Sequence, residues 1–451
     1  MKESVNVFWF RRDLRLFDNT ALFHALNSGL EVLPIFIFDT NILDKLSDKA
    51  DKRVSFIYQK LIEINTILQE RNSSLYVLHG TPLSAFEELC AKFNIGKVFA
   101  NHDYEPYAIE RDNLVLDFLQ QKNISFITCK DQVIFEKNEV IKPDGTPYTV
   151  FTPYSKTWKQ KYLTNKPPSL FSENYLSKFL QHVKFPFPSL SAIGFEKADM
   201  MIPSLNIYDD SIKNYNETRN VPAQEGTSYA GIHLRFGTVS IRHIVDLAYR
   251  QNEQWLNELI WREFFMMILF HFPHVVNQSF KKKYDHIQWR NIEEEFEQWC
   301  KGETGYAIVD AGMRQLNETG WMHNRVRMIA ASFLTKHLLI DWRWGEAYFA
   351  EKLLDYELAS NNGNWQWAAG SGCDAAPYFR IFNPSEQTRK FDPELKYIKT
   401  WIKDYEPGYL QPIVDHDYAR KRALDVYKRS LEEQETKQTI ISSKKLNKDS
   451  W

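Results

Sequence analysis

The chain has 451 residues, 56 of them basic and 58 acidic, which allows two or three domains around a substantial core and leaves a formal charge of −2. Residues 1–200 carry 24 basic and 24 acidic side chains and the remainder 32 and 34, so neither half binds a polyanion by bulk charge, and such a partner must be held by a local patch. Four widely spaced cysteines without a CxxC, an N-terminus unlike a leader and no apolar run of membrane-spanning length argue against a disulfide framework, a zinc site or a membrane protein, and predict a soluble, cytoplasmic one.

Residues 1–130 alternate between two periods. The runs VNVFWF, VLPIFIF, SLYVLHG, KVFANH and ISFITC predict buried parallel strands. Between them, 19–28, 51–71, 82–93 and 107–121 predict helices. The second has Phe56, Ile57, Leu61, Ile64 and Leu68 near a 3.6 period. Strand–helix alternation with short connections predicts a doubly wound α/β domain, with ligands beyond the strand C-termini. Those ends carry FRRDLRLFDN, FDTN, HGTP and NHDYEP, and no GxGxxG occurs. Residues 131–205 are rich in proline and weakly periodic, which predicts a long surface linker. Residues 206–430 predict an all-helical domain, and 431–451 a polar tail that frays.

Chemistry-bearing residues concentrate in the helical part. Nine of the 13 tryptophans lie between Trp255 and Trp367, interleaved with Arg, Asn and acids, as a site that stacks flat rings and handles anions requires. Glu225–Gly231 is small and polar before a helical pattern, so its N–H groups and the Thr227 and Ser228 hydroxyls suit an anion; a solvated loop with an N-cap is the bland alternative. In EQWLNELIWREFF, Trp255, Glu258, Trp261, Arg262 and Phe265 fall at spacings of three and four. Glu258 suits a base or ring N–H and Arg262 a phosphate, against a surface ion pair of a few tenths of a kcal/mol. In WMHNRVRM, Asn324, Arg325 and Met328 meet on one face, while Arg327 points elsewhere, toward a carboxylate such as Asp355. His323 alone reads as a structural hydrogen-bonder. Asn362–Gly363 predicts a turn between helices.

These residues resemble the photolyase/cryptochrome flavoproteins over nearly the whole chain. The resemblance is carried by FWFRRDLRLFDN, TGYAIVDAGMRQLNETGWMHNRVRM, NNGNWQWAAGSGCDAAPYFRIFNP and PIVDH. WMHNRVRM is most similar to the class I branch that repairs cyclobutane pyrimidine dimers, and lacks the His-rich version of 6-4 photolyases. The resemblance implies a helical domain holding FAD, whose reduced form passes an electron to a flipped-out dimer under blue light. It implies FAD contacts at Tyr215, Thr227, Ser228, Tyr229, Ala230, Gly231, Trp255 and Arg262, and groups around the flavin ring at Asn324, Arg327, Asp355, Tyr356 and Glu357. Asn361 matches the residue facing the central-ring nitrogen. Tyr229 and Ala230 stand where many relatives have Arg and Leu.

For the dimer, the resemblance implies Glu258 as hydrogen-bond acceptor and Trp261 and Trp367 as aromatic walls. Asn324, Arg325, Met328 and Arg380 line the neighbouring surface, and Arg219 meets a phosphate. Trp365, Trp342 and Trp289 match the chain that carries electrons to FAD. Folate-binding relatives have an acid where this chain has Ala108, with Glu110 two places on, and a lysine near Val276. A second antenna chromophore (folate, deazaflavin or flavin nucleotide) is therefore open in identity. The implied partner is UV-damaged DNA and the implied state a monomer. The alternative function is a cryptochrome-like photoreceptor that signals through a protein.

Overall fold

A computed structural model describes residues 4–207 and 210–446, with side chains to residue 432. The predicted strands form one parallel sheet, β1 Ser4–Phe10, β2 Val32–Asp39, β3 Tyr76–Gly80, β4 Asn94–Asn101 and β5 Ser125–Cys129, in the order β3-β2-β1-β4-β5. Between them run helices Thr20–Leu26, Lys52–Gln69, Pro82–Lys92 and Pro106–Gln121, within two residues of the predicted spans. Their starts follow capping chemistry. Asn19, Asp51 and Thr81 each accept backbone N–H groups of the first turn, and Pro82 opens its helix. The helix Lys52–Gln69 buries Phe56, Leu61, Ile64 and Leu68 as its period requires, whereas Ile57 is only half-buried and Val54 takes a buried place.

The stretch 131–205 is not wholly irregular. It contains the helix Phe151–Thr164, which buries Tyr154, Trp158 and Tyr162 at a spacing of four. From 210 onward the described regular elements are helical, as predicted. The helix Leu358–Ala369 runs through Asn362–Gly363, where the sequence predicts a turn. Tertiary bonds override the local preference. Asn362 Nδ2 and Gln366 Nε2 both donate to the Val275 carbonyl, at 2.9 and 3.0 Å, and to that end must share one helix face. Of the expected polar tail, the backbone is helical to Leu446 in His416–Leu446, and residues 447–451 lie outside the described ones.

Two compact units are present. One comprises residues 1–147, 153–213 and 228–270, the other 148–152, 214–227 and 271–451. Residues 228–270 thus group with the sheet, not with the remaining helical sequence. The FRRDLRLFDN segment explains why. Arg15 Nη2 pairs with Asp131 at 2.6 Å, and Arg242 Nη2 pairs with both Asp131 and Asp18 at 3.0 Å. Arg15 also donates to the Gly237 carbonyl at 3.0 Å, and Ser240 Oγ to Asp18. All four charges are buried, at 2–8% exposure. Burying them is costly unless each is paired and hydrogen-bonded, as here. Gly237, at φ +63°, lies so close to the Arg12 carbonyl that any side chain would overlap it.

Candidate functional site

In the second unit, nine of the residues singled out in the sequence line one cavity: Asn324, Arg327, Met328, Asp355, Tyr356, Glu357, Asn361, Trp365 and Trp367. The helix Asn324–Ser332 supplies the first three. It is capped by His323, whose Nδ1 accepts the Arg325 N–H at 3.1 Å. The expected face is corrected: Arg327, not Arg325, lines the cavity with Asn324 and Met328, while Arg325 turns to Asn220. Arg327 Nη2 meets Asp355 Oδ2 at 2.8 Å and its Nε the Met322 carbonyl at 2.7 Å. Asp355 Oδ1 is buried without a partner. A carboxylate with one oxygen paired and the other unsatisfied is an acceptor prepared for an incoming N–H.

Asn361 is 9% exposed on the helix Leu358–Ala369. Its Nδ2 donates to the Glu346 carbonyl at 3.0 Å and to Glu346 Oε1 at 2.9 Å. With the NH₂ end so held, the amide oxygen is the end left for a ligand. Burial raises the Glu346 carboxyl above its ordinary range, and the Asn361 amide pulls it back. Sequence reasoning missed Glu346. Apolar walls come from Phe349, Leu353 and Trp365. Gly345 lets its helix approach, since a Cβ there would overlap the Trp365 ring.

Other candidates in this unit lie apart from that cavity's lining. Trp342 is buried in the same apolar cluster as Trp365, and Trp289 packs against it. Arg325 donates to Asn220 Oδ1 at 2.6 Å and covers the Phe391 ring at 4.4 Å. Arg380 lies 5.8 Å over Trp367, and Arg219 5.4 Å over Tyr215. Burial and the charges of Arg219 and Arg380 depress the Arg325 pKa. Mutual repulsion of this kind marks a cationic patch that an anion relieves. Gly226, next to Thr227, is held against Thr218, with no room for a side chain.

In the first unit, Trp255, Glu258, Trp261 and Arg262 lie on the helix Glu253–His271. Trp255 is buried, and the other three are half-buried. Glu258 accepts Gln254 Nε2 at 3.0 Å, and Arg262 Nη1 donates to the Gln132 carbonyl at 2.8 Å. Trp261 packs on Phe264 and Phe265. Glu263 anchors this helix. Its carboxylate takes the N–H groups of Ile134, Phe135 and Trp158, while burial pushes its pKa up to about 7 against those bonds. The predicted anion loop ends in Ser228, whose Oγ accepts the Ala230 N–H at 3.3 Å, and in Tyr229, held at φ +53°. Gly231 follows in the seven-residue helix Ala230–Phe236.

Beyond the C-terminal ends of β2 and β3 lies a larger cavity of about 540 Å³, lined among others by Asn41, Lys45, Thr81, Tyr107, Glu110 and Arg111. Tyr107 donates to Asp39 at 2.5 Å. Glu110 lines this cavity, whereas Ala108 is buried at 3% exposure.

Two buried histidines in the second unit couple its stability to pH. His323 is lowered to about 4 by burial and by Arg327, Arg325 and Arg219, and His337 to about 3 by burial, His416 and Arg422. The unfolded imidazoles bind protons below about pH 6.5, while the folded ones stay neutral, so the unfolded state binds more protons and stability falls as pH drops from 6.5 toward 4. Denaturant midpoints across that range should fall with pH, and His323→Gln should flatten the profile. An unchanged slope in that variant would remove His323 from the account.

Comparison with known proteins agrees with this architecture. Residues 6–171 match a family model described as DNA photolyase, and 255–407 one described as the FAD binding domain of DNA photolyase. A deoxyribodipyrimidine photo-lyase of Vibrio cholerae is 36% identical over 94% of this chain and 99% of its own length. A class III photolyase of Agrobacterium tumefaciens superposes with a TM-score of 0.85 at 32% identity, covering 96% of this chain and 98% of that one. An archaeal photolyase of Sulfolobus tokodaii, described with two FAD molecules, gives 0.79 at 32% identity over 95% and 100%. With relatives this similar over almost their full length, the chain belongs to the DNA photolyase family.

Proposed function

We propose that this chain repairs cyclobutane pyrimidine dimers in DNA by light-driven electron transfer to a dimer flipped out of the duplex. The observation that carries the reading is the unpartnered Asp355 Oδ1 beside the tethered Asn361 amide, in a cavity walled by Trp365 and Phe349. Two acceptors so placed fit the ring N–H groups of a flavin. When bound, FAD supplies the light-absorbing electron donor. Arg327 aims Asp355, Glu346 orients Asn361, and the apolar walls exclude water. Tyr215, Thr227, Ser228, Gly231 and Arg262 are the residues assigned to the rest of the cofactor. Glu258 accepts from a base of the dimer, while Trp261 and Trp367 replace lost stacking, worth about 1–3 kcal/mol per base. Arg219, Arg325 and Arg380 hold phosphates of the damaged strand. Met328, in place of a His-rich segment, supports the dimer over the 6-4 lesion.

The test is to illuminate the FAD-loaded protein with oligonucleotides carrying either lesion and to assay restored thymines. Repair of the dimer alone is expected. Turnover of the 6-4 lesion alone would overturn the assignment. Glu258→Ala should lower dimer binding about 10- to 100-fold, the value of a charge-assisted hydrogen bond, and leave flavin content unchanged. Loss of flavin instead would place Glu258 with the cofactor.

The cavity at the sheet ends is the proposed place of a second, light-harvesting chromophore, a flavin nucleotide, deazaflavin or folate. Its support is its size, its Lys45 and Arg111 cations, and the archaeal relative described with two FAD molecules. An action spectrum that coincides with FAD absorption after reconstitution with each candidate would count against it.

A further inference from the structure

We propose that Trp299 opens a second electron route to Trp365, separate from the line through Trp342 and Trp289. This rests on the reading that Trp365 is the indole oxidised by light-excited flavin. Trp299 lies on the helix Glu293–Lys301, and its ring centroid is 6.1 Å from that of Trp365, nearly perpendicular at 72°. Phe349 seals the junction, 5.9 Å from Trp299 and 5.0 Å from Trp365. The Trp299 indole is fully buried and donates Nε1–H to the Ala330 carbonyl at 3.2 Å. That carbonyl dipole points its negative end at the ring N–H, which stabilises a positive charge on the indole. On its other side Trp299 stacks on Phe296 at 5.8 Å, and Phe296 meets Trp344 at 5.2 Å. Trp344 is half-buried and reaches solvent. Trp365, Trp299 and Trp344 therefore form an oxidisable path from the buried cavity outward, with Phe296 as a spacer.

The electrons balance as follows. Trp365 gives one electron to the excited flavin and becomes an indole radical cation. Trp299 returns one electron to Trp365, with no proton moved, because its N–H faces only a backbone carbonyl. Trp344 refills Trp299 across Phe296. The Trp344 radical cation releases its indole proton to water, and the neutral radical then takes a hydrogen atom, electron and proton together, from an external thiol, which leaves as a thiyl radical.

The experiment compares wild type, Trp365→Phe, Trp342→Phe and the double variant Trp342→Phe/Trp299→Phe, all loaded with oxidised FAD. Flavin bleaching is followed under blue light with a thiol, and tryptophanyl radicals by electron paramagnetic resonance in flash-frozen samples. Trp342→Phe should retain slow bleaching and a radical signal, and the double variant should fall to the Trp365→Phe level in both. Trp299→Tyr in the same background keeps more of the buried volume and should give the same loss, since no base is at hand for the phenol proton. The proposal is overturned if the double variants match Trp342→Phe, or if Trp342→Phe alone already matches Trp365→Phe. Wild-type bleaching in Trp365→Phe would instead overturn the reading of Trp365 on which the proposal stands. Flavin content and thermal midpoints of every variant separate these outcomes from misfolding.

Discussion

Asp131→Ala should destabilise the protein by about 3–5 kcal/mol, the cost of stranding a buried charge. Asp131 is 2% exposed and is the carboxylate shared by Arg15 and Arg242. Its removal leaves two buried guanidiniums with one acid, Asp18, on the Arg242 side. Burial works against its ionisation, but Arg15 and Arg242 prevail and hold its pKa below the ordinary range. The measurement is the denaturant midpoint of the first transition by circular dichroism. A change under about 1 kcal/mol, the size of an exposed pair, would mean that water reaches this mesh.

Asp355→Ala should weaken FAD binding about 100- to 1,000-fold. It removes the unpartnered acceptor and leaves Arg327 without its ion-pair partner. One charge-assisted hydrogen bond and one orphaned cation together account for about 3–4 kcal/mol, and tenfold in affinity is about 1.4 kcal/mol. Fluorescence titration of the apoprotein with FAD reads the effect directly. Binding within a factor of three of wild type would show that Asp355 serves Arg327 alone.

Much of this was legible in the chain. The five strands were visible because buried parallel strands are nearly continuous apolar runs. Asp355 as a partner for Arg327 was named from the sequence and is found, but helical spacing was misread in placing Arg325 rather than Arg327 with Asn324 and Met328. Long-range partners left no periodic trace. Glu346 meets Asn361 from the preceding helix, and Trp299 meets Trp365 from 66 residues earlier in the chain. The helix Phe151–Thr164 did leave a signal, Tyr154, Trp158 and Tyr162 at intervals of four, but the surrounding prolines masked it. Asn362–Gly363 misled because the bonds to Val275 outweigh a turn propensity. The FRRDLR segment sits at the strand end where ligands are expected, yet Arg15 there is committed to Asp131 and the Gly237 carbonyl.

The charged mesh of the first unit also has a bearing on synthesis. Arg15 and Asp131 leave the ribosome long before Arg242, with 110 residues between Asp131 and Arg242. At about 5–20 residues per second, the nascent sheet waits roughly 5–20 s with Asp131 lacking one of its two cations. The unit is topologically discontinuous, since its last segment, 228–270, follows an excursion of the chain into the other unit. Translation of the N-terminal third therefore yields an unfinished body whose lock arrives late. Ribosome-stalled chains ending well before residue 242 should be cleaved readily by protease within the sheet region, and chains whose residue 270 has cleared the exit tunnel should resist.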